Sequence, residues 1–210
     1  RHNESVKPKF TFIDLFAGIG GIRKGFDAAG GECVFTSEWN SFSVRTYKAN
    51  HYCDPKSHVF NTDIKDITLS GDSNISDEEA YAHIDKIIPD HDVLLAGFPC
   101  QPSSVAGKRR GLKEERGTIV NNVIDYIKKQ RPRVFILENV QGFTNIDGGK
   151  TCASVMDSLL AIGSNGKAPK YRPNMVRGAK HEGGAYEIHD MVINTKDHGV
   201  PQNRKRWYCV

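Results

Sequence analysis

The sequence lacks a membrane-spanning segment, a secretory signal and the cysteine patterns of disulfide-rich or zinc-binding proteins. A membrane-spanning helix needs an apolar run of about 20 residues, and none occurs. The first ten residues contain no apolar stretch of the kind found in secretory signals. The five cysteines are odd in number and form no C-x-x-C pair, which argues against a disulfide framework and a zinc site. We therefore expect an intracellular protein without a metal, cytoplasmic if bacterial and nuclear if eukaryotic.

A large excess of one charge is also lacking, since the formal net charge is +4 over 210 residues. This balance permits a polyanionic partner without requiring one. Basic residues nevertheless crowd one loop and the end of the chain, at Lys108, Arg109, Arg110, Lys113, Arg116, Arg204, Lys205 and Arg206. On charge alone, such clusters are usually solvated surface. With 38% hydrophobic and 26% charged residues, the composition is that of one globular domain.

Apolar runs alternate with stretches of helical periodicity, which is the pattern of a parallel α/β sheet. The predicted strands are residues 10–16, 32–36, 59–60, 92–96 and 133–137, followed by antiparallel edge strands at 191–194 and 207–210. The predicted helices are residues 22–29, 41–49 behind an Asn40 or Ser41 cap, 76–88, 119–127 and 151–162, with a long loop at 163–184. This order predicts a doubly wound, mostly parallel, Rossmann-like sheet with an antiparallel edge.

The first predicted strand ends in a glycine-rich turn, at the end of the sheet where open α/β folds bind ligands. Gly18, Gly20 and Gly21 would let the backbone turn sharply and approach a ligand, although a plain turn also explains them. The phosphate-binding pattern G-x-G-x-x-G is broken by Arg23, which disfavours a dinucleotide.

Two side chains after the second predicted strand suggest an adenosine site. Glu38 follows Gly18 by 20 residues, where a carboxylate can accept hydrogen bonds from both ribose hydroxyls. Trp39 can stack on an adenine ring. Taken separately, Glu38 would be a solvated strand end and Trp39 a core residue. Together, behind a glycine turn, they favour adenosine.

One cysteine has a sequence context unlike the others. The fourth predicted strand ends in GFPCQPSS, which places Cys100 at the same end of the sheet as the glycine turn. Buried cysteines are usually inert, and we assign Cys33, Cys53, Cys152 and Cys209 to that class. The flanking prolines exclude regular structure around Cys100, so we expect its sulfur to face a cavity.

Six motifs follow one another along the chain: DLFAGIGG, SEWN, GFPCQP, RGT, ENV and QNRKR. In this order they resemble the successive motifs of the C5-cytosine DNA methyltransferase family, whose members occur in restriction-modification systems. The resemblance implies an S-adenosyl-L-methionine-dependent methyltransferase catalytic domain over residues 1–210. It also implies double-stranded DNA as partner and a target cytosine that is rotated out of the duplex.

The resemblance assigns roles to individual residues. The cofactor contacts would be Phe16, Ala17, Gly18, Ile19, Gly20, Gly21, Glu38, Trp39, Asp63, Ile64, Phe98 and Pro99. The catalytic residues would be Cys100 as nucleophile, Glu138 as the carboxyl that holds the cytosine, and Arg204 and Arg206 beside the flipped base and its phosphate. The substrate contacts would be Gln101, Ser104, Lys108, Arg109, Arg116 and Thr118, on a basic loop that closes over the phosphates.

The sequence departs from the family pattern in three places. Ser103 replaces the usual Phe after CQP, and RGTIVNNV replaces RGT followed by two Phe and an Asp. The target-recognition region and the closing Asn-bearing helix do not occur before Val210, so we expect either a fragment or a second polypeptide that supplies them. Two alternatives stay open: a tRNA cytosine-5 methyltransferase of the same family, and a non-catalytic or split regulatory subunit that keeps the fold.

Overall fold

The computed structural model describes residues 8–69, 74–99, 119–163 and 185–210. Most of the loop expected at 163–184 therefore lies outside the described residues. The strands are β1 Phe10–Leu15, β2 Gly31–Ser37, β3 Val59–Asn61, β4 Val93–Ala96, β5 Val134–Val140, β6 Asp190–Asn194 and β7 Lys205–Cys209. The helices are α1 Gly21–Ala28, α2 Ser41–Asn50, α3 Ile64–Thr68, α4 Asp77–Ile87, α5 Ile119–Gln130 and α6 Lys150–Leu160, with 3-10 helices at Gln141–Gly149 and Thr195–His198.

Short polar side chains set where several helices begin. Asn40 caps α2, because its side-chain oxygen accepts hydrogen bonds from the backbone amides of Phe42 and Ser43. Ser76 and Glu79 form a reciprocal capping box at α4. Asp63 caps α3, a helix that the sequence did not predict because its five residues are too few for a periodic pattern.

The strand order is β3-β2-β1-β4-β5-β7-β6. The first five of these strands are parallel, which confirms the doubly wound, mostly parallel prediction. The chain leaves β1 toward β3 and then returns to β4, so the order reverses between β1 and β4. A ligand crevice is expected at the carboxyl ends of these two strands.

The antiparallel part of the sheet differs from the expectation in one respect. β7 pairs antiparallel with both β5 and β6, so β7 is an interior strand and β6 forms the antiparallel edge of the sheet. The sequence pattern did not distinguish the two, because each is short and both were predicted as edge strands. The interior place of β7 explains why Trp207 and Cys209 are fully buried.

Apolar side chains cover both faces of the sheet. On one face Phe12, Val93 and Leu95 pack against Ile22 and Phe26 of α1. On the other face a larger cluster joins side chains of the same strands to α4, α5 and α6, including Ile13, Leu15, Leu94, Ile84, Ile127 and Val155. This two-sided burial makes the sheet a rigid platform for the groups at its carboxyl edge.

Candidate active site

The glycine turn after β1 adopts backbone conformations that are unfavourable for residues with a Cβ. Gly18 and Gly20 have φ of 56° and 86°, in the left-handed region. A Cβ on Gly20 would also collide with the ring of His51. A Cβ on Gly18 would meet nothing within 4 Å, so that glycine borders open space. The turn therefore presents bare backbone to the crevice.

Glu38 holds this turn in place. One carboxylate oxygen accepts a hydrogen bond from the Gly18 amide at 2.7 Å, and the other accepts from the Asn40 amide at 2.8 Å. Glu38 is only 7% exposed, whereas Trp39 is 76% exposed. The separate interpretations, a solvated strand end and a core tryptophan, are thus both wrong. A buried carboxylate beside an exposed aromatic ring is compatible with the adenosine contacts predicted for Glu38 and Trp39, and those contacts stay a prediction.

Asp63 and Ile64 follow β3, whose last residue accepts a backbone hydrogen bond from Glu38. One Asp63 oxygen caps α3 by accepting from the Lys65 amide at 2.9 Å. Ile64 is partly buried and packs against the larger core cluster. Both residues therefore lie next along the sheet from Glu38, and their contact with an adenine edge stays a prediction.

The end of β4 meets the glycine turn and Glu138 at one point, next to Gly97. A Cβ placed on Gly97 would lie 3.4 Å from a Glu138 carboxylate oxygen and 3.8 Å from the Phe16 carbonyl oxygen. Phe98 is buried, while Pro99 is exposed. The carboxyl ends of β1, β4 and β5 therefore bring the proposed cofactor turn and the proposed catalytic carboxyl together.

Glu138 lies inside β5, because that strand continues to Val140 beyond its predicted end at Leu137. The extension arises from β7, which pairs with residues 137–140 from the far end of the chain. Arg206 on β7 places its Nε 3.0 Å from a Glu138 oxygen. Burial raises the pKa of Glu138, although the Arg206 and Arg204 charges oppose that shift. Burial thus favours the protonated form of this carboxyl, and the ion pair with Arg206 favours the ionised form.

The proposed substrate and catalytic residues are only partly described. Arg206 contacts Glu138, whereas the Arg204 side chain is exposed and its backbone amide donates to Asn194 at 3.0 Å. Outside the described residues lie Cys100, Gln101, Ser104, Lys108, Arg109, Arg116 and Thr118. Their roles stay predictions, as do the remaining cofactor contacts.

A buried polar network beneath the glycine turn was missed by the sequence reasoning. Asp14 is 1% exposed and accepts a hydrogen bond from the Tyr47 hydroxyl at 3.3 Å. Burial raises the pKa of Asp14 to about 7, against the opposing effects of Tyr47 and Arg23. Arg23 in turn donates to the Tyr47 hydroxyl at 3.1 Å and to the Tyr52 carbonyl at 2.8 Å. The sequence signal that could have revealed this network is Asp14, a carboxylate among the apolar residues of β1.

The described part of the chain contains no group of three or more His, Cys, Asp or Glu side chains arranged to hold a metal ion. Within the same residues, no helix has the length and apolar character that crossing a bilayer requires.

Comparison with known proteins identifies the family. Among curated relatives, a DNA-cytosine methyltransferase of Escherichia coli K12 is 48% identical over 94% of this chain and 41% of its own length. The Type II methyltransferase M.HpaII of Haemophilus parainfluenzae is 38% identical over 99% of this chain and 47% of its own length. The chain thus spans less than half the length of these relatives.

Solved structures share the fold. A Spodoptera frugiperda DNMT2 mutant superposes with a TM-score of 0.58 at 23% identity, covering 95% of this chain and 48% of that one. A putative DNA modification methyltransferase encoded in an Escherichia coli prophage gives 0.58 at 18% identity, covering 95% and 45%. The model of the C-5 cytosine-specific DNA methylase family matches residues 10–210, which is nearly the whole sequence, and the chain belongs to that family.

Proposed function

We propose that this chain carries the cofactor-binding and catalytic residues of a DNA (cytosine-5-)-methyltransferase that uses S-adenosyl-L-methionine. The observation that supports this most directly is the proximity of three groups at Gly97. They are the start of the glycine turn at Phe16, the beginning of the Phe98-Pro99-Cys100 segment, and the Glu138 carboxylate. A methyl transfer to a base requires a donor site, a nucleophile and a proton-bearing group within reach of one another.

The residues present fit an S-adenosyl-L-methionine site. Gly18 borders open space, so a ligand can approach the backbone there. Glu38 uses one lone pair of each oxygen on a backbone amide and keeps further acceptor capacity for ribose hydroxyls. Trp39 exposes a ring on which adenine can stack. When bound, the cofactor would supply an electrophilic methyl group.

Cys100 would be the nucleophile, because C5 of cytosine is too weakly nucleophilic to accept a methyl group unaided. The thiolate adds to C6, and the electrons of the C5–C6 double bond then become available at C5 for bonding to the methyl carbon. The C5 proton then passes to solvent water, the electrons of its bond re-form the C5–C6 double bond, and the thiolate leaves C6, which releases the product. Because C6 is inaccessible inside a duplex, the base must first be rotated out of the stack.

Glu138 and Arg206 would stabilise the charge that develops on the ring. A protonated Glu138 donates to N3, which fits the raised pKa of this carboxyl. Arg206 already contacts Glu138 and can in addition hold the O2 side of the base, with Arg204 near its phosphate. The basic segment from Lys108 to Arg116 would close over the DNA backbone.

The test is covalent trapping with the full-length protein. The protein is incubated with S-adenosyl-L-methionine and a duplex oligonucleotide that carries 5-fluorocytosine, and denaturing gels detect the adduct. Fluorine cannot leave C5 as a proton does, so the enzyme should remain attached to the DNA. Cys100→Ser should abolish the adduct. The matched control is Cys53→Ser, since Cys53 is a partly exposed free thiol that has no proposed catalytic role.

The outcomes separate the proposal from its rivals. Trapping by Cys100→Ser would overturn the assignment of the nucleophile. Trapping on transfer RNA carrying 5-fluorocytosine, with none on duplex DNA, would overturn the choice of substrate. Binding of the cofactor without any adduct or methylation would mean that the protein keeps the fold without the activity.

A further inference from the structure

One side-chain hydrogen bond joins β5 to the chain after β4, beyond the last backbone pair of the two strands. Backbone pairing of the two parallel strands ends with Ala96 opposite Leu137. Two residues farther on, the Asn139 side-chain nitrogen donates a hydrogen bond to the Phe98 carbonyl at 3.2 Å. Asn139 is 2% exposed, so this contact is shielded from water. The amide therefore replaces the missing backbone contact between the ends of the two strands.

The amide of Asn139 is itself held in one orientation. Its oxygen accepts a hydrogen bond from the Val140 amide at 2.8 Å. With the oxygen engaged on β5, the nitrogen is left to face β4. A buried amide with both ends satisfied is strongly oriented, because breaking either bond would leave a polar group without a partner in a dry environment.

The ring of Phe98 is fixed as firmly as its carbonyl. It packs edge-to-face on Phe143, with ring centroids 5.5 Å apart. Phe143 packs in turn on Trp207, at 4.9 Å, and the Trp207 indole donates to Asp190 at 3.0 Å. Phe98 is thus anchored by its ring to β7 and the Gln141–Gly149 helix, and by its carbonyl to β5.

Phe98 and Asn139 also stand next to the two proposed catalytic groups along the chain. Asn139 directly follows Glu138, and Phe98 precedes Cys100 by two residues. The intervening Pro99 has a φ restricted by its ring, and a residue before proline is confined to extended conformations. Few free torsions therefore separate the Asn139 contact from the start of Cys100.

We propose that Asn139 is a positioning residue that sets the place of the Cys100 nucleophile relative to Glu138 by holding the Phe98 carbonyl. The proposal rests on the proposed function, because it assigns no contact with substrate or cofactor to Asn139. It predicts that loss of the donor slows the covalent step much more than it weakens cofactor binding, since Gly18 and Glu38 are held by hydrogen bonds of their own and the Phe98 ring stays packed on Phe143.

The experiment compares Asn139→Asp with the wild type in the full-length protein. This change keeps the shape of the side chain and replaces the donor by an oxygen that faces the Phe98 carbonyl. Cofactor affinity is measured by calorimetry, and the rate of adduct formation on saturating 5-fluorocytosine duplex by quenched gels. We expect an adduct rate lower by about tenfold to a hundredfold, as small displacements of reacting groups produce, and a dissociation constant that changes far less than this rate.

The pH dependence of the adduct rate distinguishes a positioning role from a purely structural one. Once the introduced carboxyl is protonated it can again donate to the Phe98 carbonyl, so the rate deficit relative to wild type should shrink toward pH 5.5. Asn139→Ser cannot span the gap, and its deficit should stay constant with pH. This second variant also serves if Asn139→Asp fails to fold. The control is Asn122→Asp, which alters a buried amide on α5.

The failures can be told apart. If the wild type forms no adduct, the proposed function is wrong. If the wild type reacts and both Asn139 variants react at its rate, the positioning role is wrong. A folded variant whose cofactor affinity and adduct rate fall by the same factor would also overturn it, because the effect would then lie in the cofactor site.

Discussion

Replacing Glu38 by Gln should lower the free energy of unfolding and weaken cofactor binding, and the hydrogen bonds of Glu38 indicate by how much. Each carboxylate oxygen accepts a backbone amide, Gly18 at 2.7 Å and Asn40 at 2.8 Å. A carboxamide has only one oxygen, so its NH₂ group must face one of these amides, donor against donor. The charge that favours the amino end of α2 is lost as well. Hydrogen bonds to a charged group contribute about 1.5–3 kcal/mol.

The expected result has two parts, because Glu38 acts both with and without ligand. The free energy of unfolding, from urea denaturation, should fall by about 1.5–3 kcal/mol. The dissociation constant for S-adenosyl-L-methionine, from calorimetry on the folded variant, should rise by about tenfold to a hundredfold, since the Gly18 turn loosens and a ribose acceptor is lost.

Glu79→Gln is the matched control for this change. The Glu79 carboxylate also accepts two hydrogen bonds from one residue at a helix start, from the Ser76 amide at 2.8 Å and the Ser76 hydroxyl at 2.9 Å. Glu79 is exposed, so water can replace what the substitution removes. We expect a loss of less than about 1 kcal/mol and unchanged cofactor affinity. The reasoning is refuted if Glu38→Gln binds the cofactor as wild type does, or if both variants lose the same affinity.

Three further predictions concern the groups around the crevice. Gly20→Ala should lower the free energy of unfolding by about 1–3 kcal/mol, because φ is 86° at that position. Gly25→Ala, on α1 with open space around it, should raise the free energy of unfolding by up to about 1 kcal/mol. Denaturation curves that rank the two variants otherwise would contradict this. Asp14 keeps its proton in the folded state up to its pKa of about 7 but loses it above 3.8 when unfolded, so its contribution to the wild-type free energy of unfolding should fall as the pH rises from 4 to 7. Asp14→Asn removes that fall, and the stability difference between variant and wild type should grow by at most about 1.4 kcal/mol per pH unit in this window; a constant difference would refute the buried neutral carboxyl. Arg206→Met should raise the pKa of Glu138 further, because the positive charge at 3.0 Å opposes the effect of burial, and carboxyl NMR titration showing no change would argue against the ion pair.

Local patterns explain what could be predicted of the fold and the site. The alternation of apolar runs and periodic stretches gave the strands and most helices, because these patterns reflect which faces become buried. The glycine turn and Glu38 were found because they follow strands at a short, recognisable spacing. Helix α3 and the 3-10 helix at Gln141–Gly149 were missed, since short segments carry too few residues to show a period.

Contacts between distant segments could not be predicted in the same way. Glu138 and Arg206 meet only because β7 inserts between β5 and β6. The bond from Asn139 to the Phe98 carbonyl depends on the register of β4 and β5, which neither segment encodes alone. The burial of Glu38 likewise follows from the way the β1 turn folds over the end of β2.

The sequence by itself determined most of the strands and helices along the chain, the motifs of the family and the residue types available for chemistry, because each of these depends on neighbouring positions. Only the tertiary structure decided which of those groups meet, which carboxyls are buried, and where the strand ends converge. The reason is that pKa shifts, buried hydrogen bonds and strand register arise from packing between segments far apart in the chain.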